Sequence, residues 1–166
     1  ITSFSGWRED KHARTVKAIY IDIDDVGYDI STWEQENLVQ FVKDEYNIPD
    51  NMLPNYIIKS GHGMHLYYVL TTEIDAITRK KYFDYINTRF RADIACRSIS
   101  HPVRVPFSWN CKREPRKSSL FEIHNGQFTL RQLDFFQIDD EIIQKHIDTE
   151  NDSKNAKRQA TREKNK

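Results

Sequence analysis

Hydrophobic and polar positions follow strand-like and helix-like patterns in turn along this chain of 166 residues. The segment from Val16 to Ile23 is strongly apolar and predicts a buried strand. Two further short runs, 56–59 and 64–70, predict strands joined through the glycine turn 60–63. Residues 103–106 predict a short extended piece, and Asn125-Gly126 between apolar runs predicts a hairpin over 120–130 with a type I′ turn.

Helical spacing of apolar residues marks the segments between these strands. Ser31-Thr-Trp-Glu34 resembles a capping box and predicts a helix that runs to about Tyr46. Residues 77–90 predict a second helix, and 130–136 and 139–147 predict two short ones. The apolar stripe of the second helix is expected to comprise Ile77, Tyr82, Phe83, Ile86 and Phe90.

The order of the elements predicts the fold class. Strands and helices alternate with hairpins as well as crossovers, which favours an α+β domain over a doubly wound parallel sheet. We expect one domain over residues 1–147, because the polar segment 148–166 lacks a packing face and is typical of a charged linker, tail or frayed helix. The polar end and the first residue, Ile1, lead us to expect a domain cut from a longer polypeptide.

Composition narrows the function classes. The 25 Lys and Arg residues balance the 25 Asp and Glu residues, so any nucleic-acid contact must come from local basic patches. Cys96 and Cys111 form no CxxC pair, which argues against a disulfide framework or a cysteine-rich zinc site and favours the cytoplasm. No apolar run approaches the roughly 20 residues that cross a bilayer, so we expect no membrane association.

The first candidate site is the Asp22-Ile-Asp24 sequence at the end of the first predicted strand. Strand alternation places both carboxylates on one face, where they repel each other unless a cation lies between them. Hard divalent ions such as Mg²⁺ prefer such oxygens. The alternative is that the strand simply ends and its acids face solvent, and Asp25 is compatible with that reading.

The second candidate site is the glycine turn between the next two strands. Gly61 and Gly63 permit close approach of an anion, and Ser60 and His65 can donate hydrogen bonds to phosphate oxygens. This arrangement predicts a triphosphate-binding loop. An ordinary hairpin turn, with His62 at the surface and His65 in a structural hydrogen bond, explains the same residues.

The third candidate site begins at Asp93 and continues through the basic segment 101–117. Residues 104–117 carry five positive charges against Glu114, which makes phosphate contact reasonable. Trp109 and Phe107 lie among these cations and could stack on bases, although core packing or a solvated loop accounts for them equally well. The five cations are Arg104, Lys112, Arg113, Arg116 and Lys117.

The ordered combination of these motifs, from Tyr20-Ile-Asp22-Ile-Asp24 through Ser60-Gly-His-Gly-Met-His65 and Asp93 to Val103-Arg-Val-Pro-Phe-Ser-Trp-Asn-Cys-Lys112, resembles the archaeo-eukaryotic primase superfamily. It looks most like the primase-polymerases of plasmids, phages and other mobile elements. The resemblance implies an α+β catalytic core with an RRM-like sheet and an active-site cleft between two α/β halves. It also implies template-dependent nucleotidyl transfer in the replication of a mobile element.

The resemblance assigns roles by position. Asp22, Asp24 and Asp93 would bind two divalent ions, Mg²⁺ or Mn²⁺. Ser60, Gly61 and His65, with Arg104 and Lys112, would contact the nucleoside triphosphate. The residues expected to bind the single-stranded DNA template and primer are Trp109, Asn110, Arg113, Arg116 and Lys117, with Asn110 shaping the site.

Two departures from the family pattern stand at Val105 and Phe107, where the family has leucine and glycine. A bulky Phe107 could reshape the nucleotide pocket. The charged tail could connect this domain to a helicase or another replication module in the same polypeptide. Two other functions remain open at this point: a noncatalytic single-stranded nucleic-acid-binding module of a replication initiator, and a metal-dependent nuclease, since the same ions could activate water.

Overall fold

A computed structural model describes residues 2–4, 13–24, 26–99, 101, 103–111 and 114–164. The strands are β1 (Thr2–Phe4), β2 (Ala13–Ile23), β3 (Tyr56–Lys59), β4 (Met64–Asp75), β5 (Trp109–Asn110), β6 (Arg116–Lys117) and β7 (Ser119–Glu122). The α-helices are α1 (Gln35–Tyr46), α2 (Ala76–Arg89), α3 (Leu130–Leu133) and α4 (Asp140–Lys164). Short 3₁₀ turns span Asp50–Met52, Ile94–Arg97 and Asp134–Phe136.

A five-stranded sheet in the order β1-β2-β4-β3-β7 forms the centre of the molecule. The β2–β4, β3–β4 and β3–β7 pairs are all antiparallel. A separate two-stranded ribbon pairs β5 with β6. The α+β prediction is therefore confirmed, with helices accompanying a mainly antiparallel sheet.

Alternation along β2 and β4 decides which side chains reach the core. Ile19 and Ile21 on β2 and Leu66 and Tyr68 on β4 are fully buried. Because successive side chains of a strand point to opposite faces, Asp22 and His65 belong to the other face of the sheet. The same two strands thus build the core and carry the candidate site.

The two long helices follow the predicted pattern with local differences. The capping box that begins α1 is formed by Glu34 and Asn37 rather than by Ser31 and Glu34. In α2 the stripe of Tyr82, Phe83 and Ile86 is buried, but Ile77 is 83% exposed. Asp75 caps that helix by accepting a hydrogen bond from the Thr78 backbone N–H, and Ile77 lies on the outer side of the first turn, whereas Arg79 in the same turn is buried.

The predicted hairpin over 120–130 is wrong. Neither Asn125 nor Gly126 has the positive φ that a type I′ turn requires. Instead β7 pairs with β3, and Phe128 forms a parallel bridge to Leu70. Phe128 is 2% exposed and packs edge-on against Tyr68. Burial of this ring in the core outweighs the local turn preference of Asn-Gly.

The charged tail is helical, which is one of the forms that the sequence left open. Residues 148–164 continue the helix that begins at Asp140, so α4 is one element of 25 residues. Ile143 is buried and Ile147 is half-buried against the core, whereas nearly all later side chains are exposed. Among the described residues, no helix combines the length and apolar character that crossing a bilayer requires.

Candidate active site

Asp22 and His65 face each other across the β2–β4 pair, where the strand register places them directly opposite. The Nε2 atom of His65 lies 3.4 Å from Oδ2 of Asp22. His65 is 5% exposed, and the Asp22 side chain is 19% exposed. The structure thus brings together an acid from the first predicted motif and a histidine from the second.

Unpaired polar atoms concentrate at this position. Within the described part of the chain, four buried side-chain polar atoms have no hydrogen-bond partner. Three of them are Oδ1 of Asp22, Nδ1 of His65 and Nε2 of His62, and the fourth is Oδ1 of Asn87. Since buried polar groups are normally satisfied by protein, water or ligand, three such atoms on neighbouring segments indicate a site that binds something polar.

The glycine turn lies directly against the end of β2. A Cβ atom at Gly63 would stand 2.1 Å from the carbonyl oxygen of Ile23 and 2.7 Å from that of Asp24. Gly61 adopts a φ of +110°, which side-chain-bearing residues rarely adopt. Both glycines are therefore required by the turn, and the close approach of Gly63 fixes the turn beside the acidic strand end.

The ribbon of β5 and β6 holds the glycine turn from its other side. The side chain of Asn110, which is 7% exposed, donates a hydrogen bond of 2.8 Å to the carbonyl oxygen of Ser60. Arg116, opposite Asn110 in the ribbon, donates one of 3.2 Å to the carbonyl oxygen of Gly61. These contacts give Asn110 and Arg116 a shaping role, because both side chains point into the protein.

An ion pair fixes Arg116 further. Its guanidinium donates to the carboxylate of Asp29 at 2.7 Å. Hydrogen bonds from the backbone and side chain of Ser31, together with the Arg116 guanidinium, lower the pKa of Asp29 to about 2. Asp29 was not among the predicted residues, because its importance depends on contact with a residue 87 positions away.

The opposite face of the ribbon points outward. Trp109 pairs with Lys117 across the two strands, and Trp109 is 61% exposed. Side chains directly opposite each other in an antiparallel pair lie close together. The ribbon therefore presents an aromatic ring beside a positive charge.

Residues of the loop before the ribbon line a cavity next to the Asp22–His65 pair. The cavity has a volume of about 450 Å³. Arg104, predicted as a nucleotide contact, lies in its wall and donates a hydrogen bond of 3.2 Å to the Trp109 carbonyl oxygen. The cavity is lined by Asp22, His65, His101, Val103, Arg104, Val105 and Ser108.

Asp93 is bonded to the same strand end through its backbone. Its N–H donates to the carbonyl oxygen of Asp22 at 2.8 Å. The Asp93 carboxylate accepts hydrogen bonds from the Ala95 backbone N–H and from the ammonium group of Lys154 on α4. Burial alone would raise the pKa of this carboxyl, but the bonds from Lys154 and Ala95 outweigh burial and hold the pKa below its usual value.

Asp24 and Asp93 line a second cavity, of about 210 Å³, together with Arg91, Lys154 and other residues of α4. The described residues contain no group of three or more His, Cys, Asp or Glu side chains already arranged to hold a metal ion. In this arrangement the ammonium of Lys154 is the counter-charge of Asp93. The two-ion prediction for Asp22, Asp24 and Asp93 therefore stays a prediction.

Two predicted residues, Lys112 and Arg113, lie outside the described residues. Lys154 is the functional candidate that sequence reasoning missed. A weak signal for it exists: Ile143, Ile147, Glu150 and Lys154 follow helical spacing and form one stripe that changes from apolar to charged.

Two solved structures share this fold. The structure is similar to the archaeo-eukaryotic primase (AEP) domain of the cyanophage S-2L primase-polymerase, with a TM-score of 0.61 and 16% sequence identity over 80% of this chain and 65% of that one. It is also similar to the primase RepB′, with a TM-score of 0.50 and 13% identity over 92% of this chain and 46% of that one. No protein-family model and no curated protein matches the sequence. The chain therefore has the fold of an AEP-type primase-polymerase domain. It spans about two thirds of the length of the cyanophage domain and about half of the length of RepB′.

Proposed function

We propose that this chain catalyses template-dependent nucleotidyl transfer, namely primer synthesis, DNA polymerisation or both, in the replication of a mobile element. The observation that carries the proposal is the group of unpaired buried atoms on Asp22, His62 and His65. These atoms lie where β2 ends against the glycine turn, in a fold shared with two primases.

Three carboxylates would hold two divalent ions, Mg²⁺ or Mn²⁺. Asp22 offers a buried oxygen without a partner, and Asp24 and Asp93 share one cavity, so the set supplies the oxygen donors that these ions prefer. When bound, such ions lower the pKa of an attacking 3′-hydroxyl and stabilise the charge on the departing pyrophosphate. Lys154 binds Oδ1 of Asp93 and would compete with an ion for that oxygen.

The glycine turn would position the triphosphate. His65 can donate a ring N–H to a phosphate oxygen, and Ser60 can donate its hydroxyl. Because Asn110 and Arg116 hold the Ser60 and Gly61 carbonyl oxygens, the turn keeps one conformation without needing the ligand to order it. Arg104 lies in the wall of the Asp22 cavity, where its positive charge would attract the same polyanion.

The outer face of the ribbon would contact the template or primer strand. An exposed indole beside a cation suits a single strand, because bases stack on aromatic rings while phosphates attract positive charge. Trp109 and Lys117 form such a pair. The same face equally serves the alternative function, a noncatalytic single-stranded nucleic-acid-binding module. The Lys154–Asp93 contact favours this alternative, because Lys154 neutralises the Asp93 carboxylate without a metal ion.

The test is incorporation of labelled nucleotides on a single-stranded template with Mg²⁺ or Mn²⁺, with and without a primer. We expect the Asp22→Ala, Asp24→Ala double variant to fold and to lose incorporation. The matched control replaces Glu36 and Asp44 by Ala, two exposed acids of α1, a helix that contributes no residue to either cavity.

Three outcomes of this assay separate the functions. Metal-dependent extension that only the double variant loses supports polymerisation. Binding of the strand without extension by the wild-type chain supports the noncatalytic module, and cleavage of the strand supports a nuclease. Extension that survives in the double variant refutes the assignment of Asp22 and Asp24.

A further inference from the structure

The loop that borders the Asp22 cavity contains an unusual turn at residues 105–108. The backbone N–H and the hydroxyl of Ser108 both donate to the Val105 carbonyl oxygen, at 3.3 and 2.6 Å. Phe107 has a φ of +64°. Pro106 followed by a residue with positive φ is the arrangement of a type II turn, in which glycine or asparagine normally occupies the second position.

The strained backbone at Phe107 is not offset by packing of its ring. Phe107 is 61% exposed, so the left-handed conformation, which is unfavourable for a bulky residue, directs an aromatic side chain towards solvent. Its neighbours behave similarly: Val103, Val105 and Trp109 are 40%, 68% and 61% exposed. Exposed apolar side chains at this density indicate a binding surface.

A buried serine holds this turn in place. Ser118, which is 1% exposed, donates its hydroxyl to the carbonyl oxygens of Val105 and Ser108, both at 3.1 Å. Its backbone N–H also donates to the Ser108 carbonyl oxygen, at 2.8 Å. The turn is therefore pre-organised, which lowers the entropic cost of binding a partner.

The surroundings of the turn decide the chemistry of that partner. Val105 and Ser108 line the cavity that holds Asp22 and His65, and Arg104 lies in the same wall. On the other side, the loop leads into Trp109, which stands beside Lys117. Exposed aromatic rings flanked by cations match a strand that carries both flat bases and phosphates.

We propose that Phe107 stacks on an unpaired base of the bound single strand, at the mouth of the cavity that contains Asp22. This inference rests on the proposed function for the identity of the strand. It goes further in assigning one base contact to a residue whose aromatic ring, at a turn position that glycine normally occupies, is 61% exposed and adds no core packing.

The experiment compares Phe107→Gly and Phe107→Trp with the wild-type chain, without metal or nucleotide. Fluorescence anisotropy measures binding of a labelled single-stranded oligonucleotide and of an abasic strand of equal length. We expect Phe107→Gly to bind the base-containing strand about 5- to 100-fold more weakly and the abasic strand as the wild type does. Phe107→Trp should bind both strands as the wild type does.

Thermal unfolding supplies the second measurement. Glycine removes the strain at this position, so Phe107→Gly should unfold at a temperature no lower than that of the wild type. A lower unfolding temperature would show that the ring stabilises the fold, and would overturn the proposal. Wild-type affinity of Phe107→Gly for the base-containing strand, or an equal loss for both strands, would overturn it as well.

Two further outcomes keep this inference distinct from the proposed function. If the wild-type chain binds no single strand in the absence of metal but incorporates nucleotides with it, stacking at Phe107 fails and nucleotidyl transfer stands. If Phe107→Gly abolishes a concentration-dependent dimer and leaves strand binding unchanged, the surface binds a second copy of the chain and the proposal is refuted.

Discussion

Replacing Gly63 by alanine should disturb the candidate site through a single methyl group. The added Cβ atom would lie 2.1 Å from the Ile23 carbonyl oxygen and 2.7 Å from that of Asp24. Both atoms belong to backbone, so the glycine turn or the end of β2 must move by about 1 Å to restore ordinary contact. Overpacking of this kind costs about 1–3 kcal/mol, which lowers the melting temperature by about 2–12 °C in a chain of this size.

The assay has two parts, urea unfolding and the affinity for a nucleoside triphosphate with Mg²⁺. Gly27→Ala is the control: Gly27 has a φ of +75°, and a methyl group added there would meet nothing within 4 Å, so its replacement strains the backbone without steric overlap. We expect both variants to be destabilised and only Gly63→Ala to lose triphosphate affinity. Wild-type stability of Gly63→Ala would refute the steric argument, and affinity equal to that of Gly27→Ala would refute the coupling of the turn to the site.

Two further predictions concern charged groups around the site. The partly exposed Lys154–Asp93 ion pair contributes about 0.5–1 kcal/mol of interaction energy, which a metal ion at Asp93 has to overcome. The Lys154→Gln variant should therefore bind Mn²⁺ about two- to five-fold more tightly, as measured by electron paramagnetic resonance. The same gain in Lys157→Gln would contradict a specific contact. The pKa of Asp29 is about 2 in the folded chain, below its usual 3.8, because of hydrogen bonds from Ser31 and the ion pair with Arg116. These contacts should together stabilise the fold above about pH 4, and the stabilisation should be lost as the pH falls towards 2. Carboxyl NMR titration checks this value, and a midpoint near 3.8 would contradict it.

The central elements were predictable because local pattern and tertiary environment agree there. Residues 56–59 form the predicted strand, and β4 and α2 begin within one residue of the expected positions. The hairpin failed because Asn125-Gly126 is a strong local signal that competes with burial of Phe128. Contacts between residues far apart in the sequence outweigh a local turn preference when they bury a large aromatic ring.

The candidate site was predictable in part for the same reason. Asp22 and His65 lie on elements whose pairing follows from the pattern of strands, and their register brings them together. The contact of Lys154 with Asp93 depends on the path of α4 across the molecule, and that path is set by Ile143 and Ile147 packing on the core. Helical spacing places Lys154 on the stripe of Ile143 and Ile147, but it does not identify the acid that the lysine reaches.

The strands of the β5–β6 ribbon are only two residues long, yet the two faces of the ribbon make different contacts. Asn110 and Arg116 donate hydrogen bonds to carbonyl oxygens of the glycine turn, whereas Trp109 and Lys117 are exposed on the other face. If a strand binds Trp109 as proposed, a displacement of the indole would also displace the glycine turn, because the next residue, Asn110, is bonded to Ser60. Studies of substitutions in the ribbon should therefore record the proposed template affinity and the proposed nucleotide affinity in the same variants.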